Sequence, residues 1–376
     1  MREGMMKVIM TGGGTGGHIY PALAVARGIM HKWPRARIIF VGTRKGMEKD
    51  IIPESGFEFK TISAQGLNRS SLVKAASSAL KVPIGFWQAR SIIKEFNPDI
   101  VVGTGGYVSY PVVLAASIMQ FKTVIHEQNA FPGLANRALG KRADRIMLTF
   151  SEAAAYFPAE KTTVTGLPVR PEILTATRRD AASFFALQED RFTIVVFGGS
   201  RGAQRINEAV EGLVEPLSAD GVQLIWITGE QHFAALQQSV SSSENIDNVR
   251  IYPYLYNMEL ALAMADLVVC RAGAATLSEL AVRGVPAILV PYPYAAENHQ
   301  EKNARYLEKK GAALLIVDEF LDRQTLAARI NELRNNKFRL LRMAQMMKKE
   351  GRPRALEDIL DIIEEVVASK KEIDSP

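Results

Sequence analysis

An α/β fold of two Rossmann-like domains, with parallel sheets facing across a cleft, is predicted by three observations. Short apolar runs alternate with helix-length segments, the alternation restarts after Gly166, and each half opens with a strand that runs into glycines. In the first half the runs cover residues 8–10, 37–41, 100–102, 123–125 and 146–148; in the second they cover 193–197, 224–227, 249–251, 267–269 and 287–290. Strands this continuously apolar belong to parallel sheets covered by helices on both faces. The turn-forming stretch 165–168 marks the joint. The expected organisation is an N-terminal domain over 1–165, a C-terminal domain over 166–354 and a last helix over 355–376. In that helix Leu356, Ile359, Leu360, Ile363 and Val367 recur at helical spacing.

Composition narrows the function classes. The chain has 376 residues, 47% of them hydrophobic and 23% charged, which suits a folded globular protein and not a disordered one. The single cysteine, Cys270, rules out an intramolecular disulfide and a multi-cysteine metal site, as expected of a protein in a reducing cytoplasm. Residues 1–165 carry 21 Lys+Arg against 11 Asp+Glu, whereas the rest carries 25 against 29. A basic first half points to an anionic partner: nucleic acid, a phospholipid surface or a phosphorylated substrate. Residues 8–26 lack the apolar core of a signal peptide, because 11–17 are all glycine and threonine. Residues 100–121 are long enough to span a bilayer, but Gly103, Gly105, Gly106 and Pro111 break the run. Any membrane contact is therefore expected to be peripheral.

The glycines carry the first chemical signal. Gly12, Gly14 and Gly17 satisfy G-x-G-x-x-G, and Gly198, Gly199 and Gly202 form a second loop, each between a strand and a helix. Backbone amides at a helix N-terminus suit phosphate. The cations of Thr43-Arg44-Lys45, where an NAD enzyme would have an acid, leave open an NADP-dependent oxidoreductase. That alternative explains neither the second loop nor the third glycine segment, 103–107. A non-catalytic lipid- or nucleic-acid-binding module is the other alternative, and it leaves the polar C-terminal segments without a role. Those segments run from Asp266 through Thr276 to Glu279, a Glu one turn into a helix, and over Glu297, Asn298, His299, Gln300 and Asn303.

Taken together, GGTGGH at 13–18, GTGGYVS at 103–109, HEQNA at 126–130, PVR at 168–170, GGSRGA at 198–203, DLVVCRAGAATLSE at 266–279 and PYPYAAENHQEKNA at 291–304 closely resemble one family. It is the bacterial peptidoglycan glycosyltransferases that add N-acetylglucosamine to undecaprenyl-diphospho-muramoylpentapeptide, making lipid II. The resemblance implies the B-type glycosyltransferase fold and a last helix that returns to the first domain. Its donor is UDP-N-acetylglucosamine, its acceptor is lipid-linked, and neither a cofactor nor a nucleic acid is implied.

Carried over by position, the resemblance implies donor contacts from Arg170, Ser200, Leu255, Thr276, Glu279 and Gln300, with Thr15, Gly16 and Asn129 also on that list. Glu279 would hold the ribose, Ser200 and Arg170 the diphosphate, the backbone at Leu255 the uracil edge, and Gln300 the sugar. Gly14, His18, Tyr107, His126 and Asn129 would line the acceptor side. Leu167, Arg201 and Asn298-His299 depart from the family's usual residues at those places. An α-linked donor and a β-linked product imply inversion in one displacement, with His18 as first candidate base and Glu127 as second. No D-x-D triplet is present, so a metal-bridged diphosphate is not expected. Leu72, Lys74, Leu80, Lys81, Phe86 and Trp87 are expected to meet an anionic membrane, on the ground that Pro83 and Gly85 interrupt any long buried helix.

Overall fold

The computed structural model describes residues 5–65, 72–242 and 246–373, the stretches 72–81 and 370–373 as backbone only. The chain forms two compact units, residues 1–168 with 354–376, and residues 169–353. In the first unit the strands are β1 (Lys7–Thr11), β2 (Arg37–Thr43), β3 (Glu58–Ile62), β4 (Ile100–Gly103), β5 (Lys122–Glu127), β6 (Arg145–Leu148) and β7 (Thr162–Val164). They form one parallel sheet in the order β3-β2-β1-β4-β5-β6-β7. In the second unit β8 (Thr193–Phe197), β9 (Gln223–Ile227), β10 (Val249–Tyr252), β11 (Leu267–Cys270), β12 (Ala287–Leu289) and β13 (Ala313–Leu315) pair as β10-β9-β8-β11-β12-β13. Both orders reverse beside their first strand, β1 or β8. Loops leaving the strands on either side of such a reversal diverge and open a crevice at the carboxyl end of the sheet.

The side-chain alternation of a strand explains the core. Val8 and Met10 of β1, Ile100 and Val102 of β4 and Val124 of β5 join one buried cluster, whereas Ile9, Val101 and Ile125 join another on the opposite face. The helix Gly16–Lys32 lies on the first face, and the C-terminal helix Ala355–Ile373 shares it, burying Ile359, Leu360, Ile363 and Val366 in the same cluster. Lys32 meets Asp361 and Glu364, each at 2.8 Å, along their exposed seam.

Two differences from the sequence reading have physical causes. Strands β3, β7 and β13 are not among the expected runs: β3 alternates Glu58, Phe59 and Lys60 as an edge strand, β7 is a three-residue strand with two threonines, and β13 is a three-residue strand within the apolar run 312–317, which the sequence reading passes over. The helix Leu72–Phe96 runs through Pro83 and Gly85, correcting the expectation of a break. Ala89, Ile93 and Phe96 of this helix are buried in the core, and that packing offsets the proline's lost hydrogen bond. Among the described residues no helix is long and apolar enough to cross a membrane; residues 100–121 resolve into β4, a loop and the helix Ser109–Ile118.

Truncating a buried aliphatic chain leaves a cavity, which typically costs about 2–5 kcal/mol. Ile359→Ala is therefore expected to lower the unfolding free energy of the first unit, read from urea denaturation, by an amount in that range. Glu357→Ala, on the exposed side of the same helix, should stay within about 0.5 kcal/mol.

Candidate functional site

In the first unit, Thr11 of β1 is level with Gly103 of β4, so the loops after the two strands leave the sheet side by side. They are tied together by Thr104 N–H donating to the Thr11 carbonyl (2.8 Å), Thr104 Oγ1 to the His18 carbonyl (2.8 Å) and Gly13 N–H to the Gly105 carbonyl (3.4 Å). Gly14 has φ +85°, and a Cβ there would lie 2.8 Å from the Tyr107 ring, so the ring packs on bare backbone.

A buried polar chain determines the state of His18. His126 Nε2 lies 2.8 Å from the Gly166 carbonyl oxygen and must carry a hydrogen. Burial lowers the pKa of this ring to about 4, so it is neutral and its Nδ1 is a lone pair. Gln128 then turns its amide nitrogen toward that Nδ1 (3.1 Å) and the His126 carbonyl (3.0 Å), leaving Oε1 to face His18 Nδ1 at 2.9 Å. His18 Nδ1 also lies 3.0 Å from the Thr104 carbonyl oxygen. Both neighbours of Nδ1 are acceptors, so Nδ1 carries the hydrogen and Nε2 of the neutral ring is the basic atom.

The same geometry corrects two expectations. His126 is buried with both ring nitrogens engaged inside the protein, so it orients Gln128 and does not face a ligand. Glu127 is buried too. Its Oε1 accepts from the Asn129 backbone (3.0 Å) and Nδ2 (3.3 Å), and its Oε2 from Gly133 N–H (3.1 Å) and Asn136 Nδ2 (2.9 Å). A carboxylate with four donors braces the loop from 128 to 133 and is ill placed to take a substrate proton. Asn129, half-buried, is held by it.

Glu48 was missed by sequence reasoning. It is buried below the first glycine loop and accepts from Gly14 N–H (3.0 Å), Thr43 N–H (3.1 Å) and Thr43 Oγ1 (2.8 Å). The Gly13 amide is used by the Gly105 carbonyl and the Gly14 amide by Glu48, so of the expected phosphate cradle only the amides at the start of the helix Gly16–Lys32 remain. Thr15 is the N-cap and Gly16 the first residue of the helix Gly16–Lys32. At the end of β2, Thr43 is committed to Glu48 and Arg44 Nε donates to Thr61 Oγ1 (3.2 Å), which disfavours the NADP alternative.

In the second unit, Phe197 of β8 is level with Cys270 of β11, and Ser200 and Thr276 follow those strand ends. Ser200 is exposed in its loop, and Thr276 lies in the first turn of the helix Ala274–Arg283. Gly202, φ +75°, permits a close approach: a Cβ there would sit 2.0 Å from the Thr228 carbonyl oxygen. Arg170 gathers the remaining residues. Its guanidinium lies 3.5 Å from the Tyr256 carbonyl oxygen, 3.5 Å from Glu259 and 3.9 Å from Glu279. Leu255 buries its side chain beside this loop. Burial pushes the Glu279 pKa up to about 7; Arg170 opposes the rise and Glu259 adds to it. Gln300 Oε1 accepts from Ala272 N–H (3.2 Å) and Tyr292 N–H (2.9 Å), so its amide nitrogen is the end left to donate. Glu259 gave no signal in the sequence beyond following the Leu255 segment.

Of the residues expected at a membrane, Leu72, Lys74, Leu80 and Lys81 lie outside the residues whose side chains are described. Trp87 is 65% exposed, and Phe86 is half-buried against the core. Their neighbour Ile84 is 52% exposed.

The model of the glycosyltransferase family 28 N-terminal domain matches residues 8–148, and that of the family 28 C-terminal domain matches 193–359. The UDP-N-acetylglucosamine--N-acetylmuramyl-(pentapeptide) pyrophosphoryl-undecaprenol N-acetylglucosamine transferase of Desulforamulus reducens is 48% identical over 368 residues, covering 96% of this chain and 99% of its own. The protein of the same name from Moorella thermoacetica is 44% identical over 371 residues, covering 97% and 100%. The crystal structure of Acinetobacter baumannii MurG matches with a TM-score of 0.79 at 28% identity, covering 96% of this chain and 99% of that one. Two family models that together match most of the chain, with near-full-length relatives above 40% identity, establish that the chain belongs to glycosyltransferase family 28.

Proposed function

We propose that the chain transfers N-acetylglucosamine from UDP-N-acetylglucosamine to the C4 hydroxyl of the muramoyl sugar of undecaprenyl-diphospho-muramoylpentapeptide, converting lipid I to lipid II in peptidoglycan synthesis. Near-full-length likeness to transferases of that name supports the substrates. One observation carries the chemistry: the fixed tautomer of His18, with Nδ1 donating inward and Nε2 left as a base. Nε2 takes the proton of the attacking hydroxyl, and the Thr104 carbonyl and Gln128 Oε1 stabilise the imidazolium that forms. The hydroxyl oxygen bonds to the anomeric carbon from the face opposite UDP, so the configuration inverts.

The second unit holds the donor in this reading. The ionised Glu279 carboxylate accepts from the ribose hydroxyls, and the free backbone beside Leu255 reads the uracil edge. Arg170, with the amides at Ser200 and at the N-terminus of the Thr276 helix, meets the departing diphosphate without a metal. The Gln300 amide nitrogen donates to the sugar. The acceptor's lipid places the enzyme on the inner face of the plasma membrane, where Ile84 and Trp87 insert and nearby cations, among them Arg90 and Lys94, meet anionic headgroups.

Three measurements test this reading. Ribose hydroxyls donate to a carboxylate, so only ionised Glu279 binds them well. Affinity for UDP-N-acetylglucosamine, measured calorimetrically, is expected to be greatest above about pH 8 and to fall as the pH drops through 7. Glu279→Gln should bind about 5- to 100-fold more weakly at high pH and show a flat profile; a wild-type profile that is itself flat removes Glu279 from the ribose.

His18→Ala is expected to lower kcat by about 10²- to 10⁴-fold with the donor KM nearly unchanged. Glu127→Ala should instead lower the melting temperature through its loop. Full turnover by the His18 variant would exclude it as the base.

Co-sedimentation with vesicles should require anionic lipid, weaken with salt and drop for Ile84→Ser combined with Trp87→Ser. Equal binding to neutral vesicles would refute the electrostatic part of the docking.

A further inference from the structure

The least expected group in the first unit is Glu48, a carboxylate with no exposed surface directly under a loop whose sequence reads as a phosphate cradle. Its two oxygens take Gly14 N–H, Thr43 N–H and Thr43 Oγ1. The surrounding chain is cut away to admit it: a Cβ at Gly13 or Gly42 would lie 2.7 Å from its side chain, and one at Gly46 2.0 Å. Thr43 Oγ1 is also 3.4 Å from the Tyr107 hydroxyl, and the Tyr107 ring covers Gly14. The glycine pattern therefore admits an anion, but the anion is the protein's own and arrives from inside.

We propose that Glu48 is a positioning residue that fills the seat under the Gly13–Gly14 turn of the first glycine loop, so that this turn and Tyr107 present a wall to an uncharged, hydroxyl-bearing part of the acceptor and keep phosphate off it. A phosphate over Gly13 and Gly14 would find both amides occupied and a carboxylate behind them, and like charges in a poorly solvated site repel strongly. A sugar face carries no charge and packs against glycine backbone and a tyrosine ring without that penalty. The inference rests on the transfer reading for the identity of the acceptor, and on geometry alone for the filled seat.

Two conservative variants separate the roles. Glu48→Gln keeps the shape but turns an N–H₂ group toward donors, and Thr43→Val removes the hydroxyl that links Glu48 to Tyr107. The probes are soluble N-acetylmuramoyl-peptides with and without a short-chain lipid diphosphate. Each variant is expected to raise the KM of both acceptors about tenfold, by a similar factor, with the donor KM within twofold. Glu48→Gln should also speed amide hydrogen exchange over residues 12–15.

Tighter binding of the diphosphate-bearing acceptor alone by Glu48→Gln would show a phosphate seat and overturn the proposal. So would wild-type exchange and kinetics in both variants; if Glu48→Gln does not fold, an unchanged acceptor KM in Thr43→Val overturns the positioning role by itself. A wild-type chain that transfers no sugar, with exchange still loosened in Glu48→Gln, would sink the transfer reading and leave the filled seat standing.

Discussion

Both candidate sites depend on the parallel backbone ladder at the point where strand order reverses. β1 pairs with β2 on one side and β4 on the other, and β8 likewise lies between β9 and β11. A helix follows the strand on each side of the reversal, so the connecting loops part at the carboxyl edge and leave backbone groups there unpaired by the sheet. Register makes the opening usable: Thr11 level with Gly103, and Phe197 level with Cys270, bring two glycine loops to the same height in each unit. Residues far apart in sequence, such as His18, Thr104, Gln128 and Gly166, meet at this edge, where hydrogen bonds between carbonyls and rings settle which nitrogen carries a proton.

Glutamine suits the middle of that chain because its amide has one accepting and one donating end. A carboxylate at position 128 would have no hydrogen to offer the Nδ1 lone pair of a neutral His126, so the two would either repel or take up a proton between them. With an amide, the orientation set by the Gly166 carbonyl passes through His126 to His18 without any group becoming charged. The arrangement uses three of the four histidine ring nitrogens as structure and leaves one, His18 Nε2, for chemistry.

The architecture was legible wherever hydrophobic continuity marks a buried strand, and the glycine loops were legible because positive φ and close approach restrict those places to glycine. The edge strand β3 was not, since Glu58 and Lys60 belong on its solvent face. Helix Leu72–Phe96 was hidden by a proline whose local cost is outweighed by tertiary packing further along. His126 and Glu127 sit in a polar motif of the kind that meets ligands, and only the fold shows that their partners are Gly166, Gly133 and Asn136. Glu48 was masked by Arg44 and Lys45, which drew the reading toward a bound phosphate, whereas the carboxylate that fills the loop comes from the next helix.

In the transfer reading, the second unit faces an electrostatic problem that the same economy of charge resolves. A ribose needs a carboxylate and a diphosphate needs cations, yet Arg170 lies beside two acids, Glu259 and Glu279. With both acids ionised this group of three carries one net negative charge, which the backbone amides at Ser200 and at the start of the helix Ala274–Arg283 have to offset beside a diphosphate. Burial raises the Glu279 pKa to about 7, so near neutrality a substantial fraction carries a proton and the trio is close to neutral. Arg170, half-exposed and held at 3.5 Å or more by each neighbour, is not locked into a close bidentate pair. It is free to turn to a diphosphate. Ribose hydroxyls favour the ionised form of Glu279, so the bound nucleoside draws its proton off, and Arg170 turned to the diphosphate carries the compensating charge.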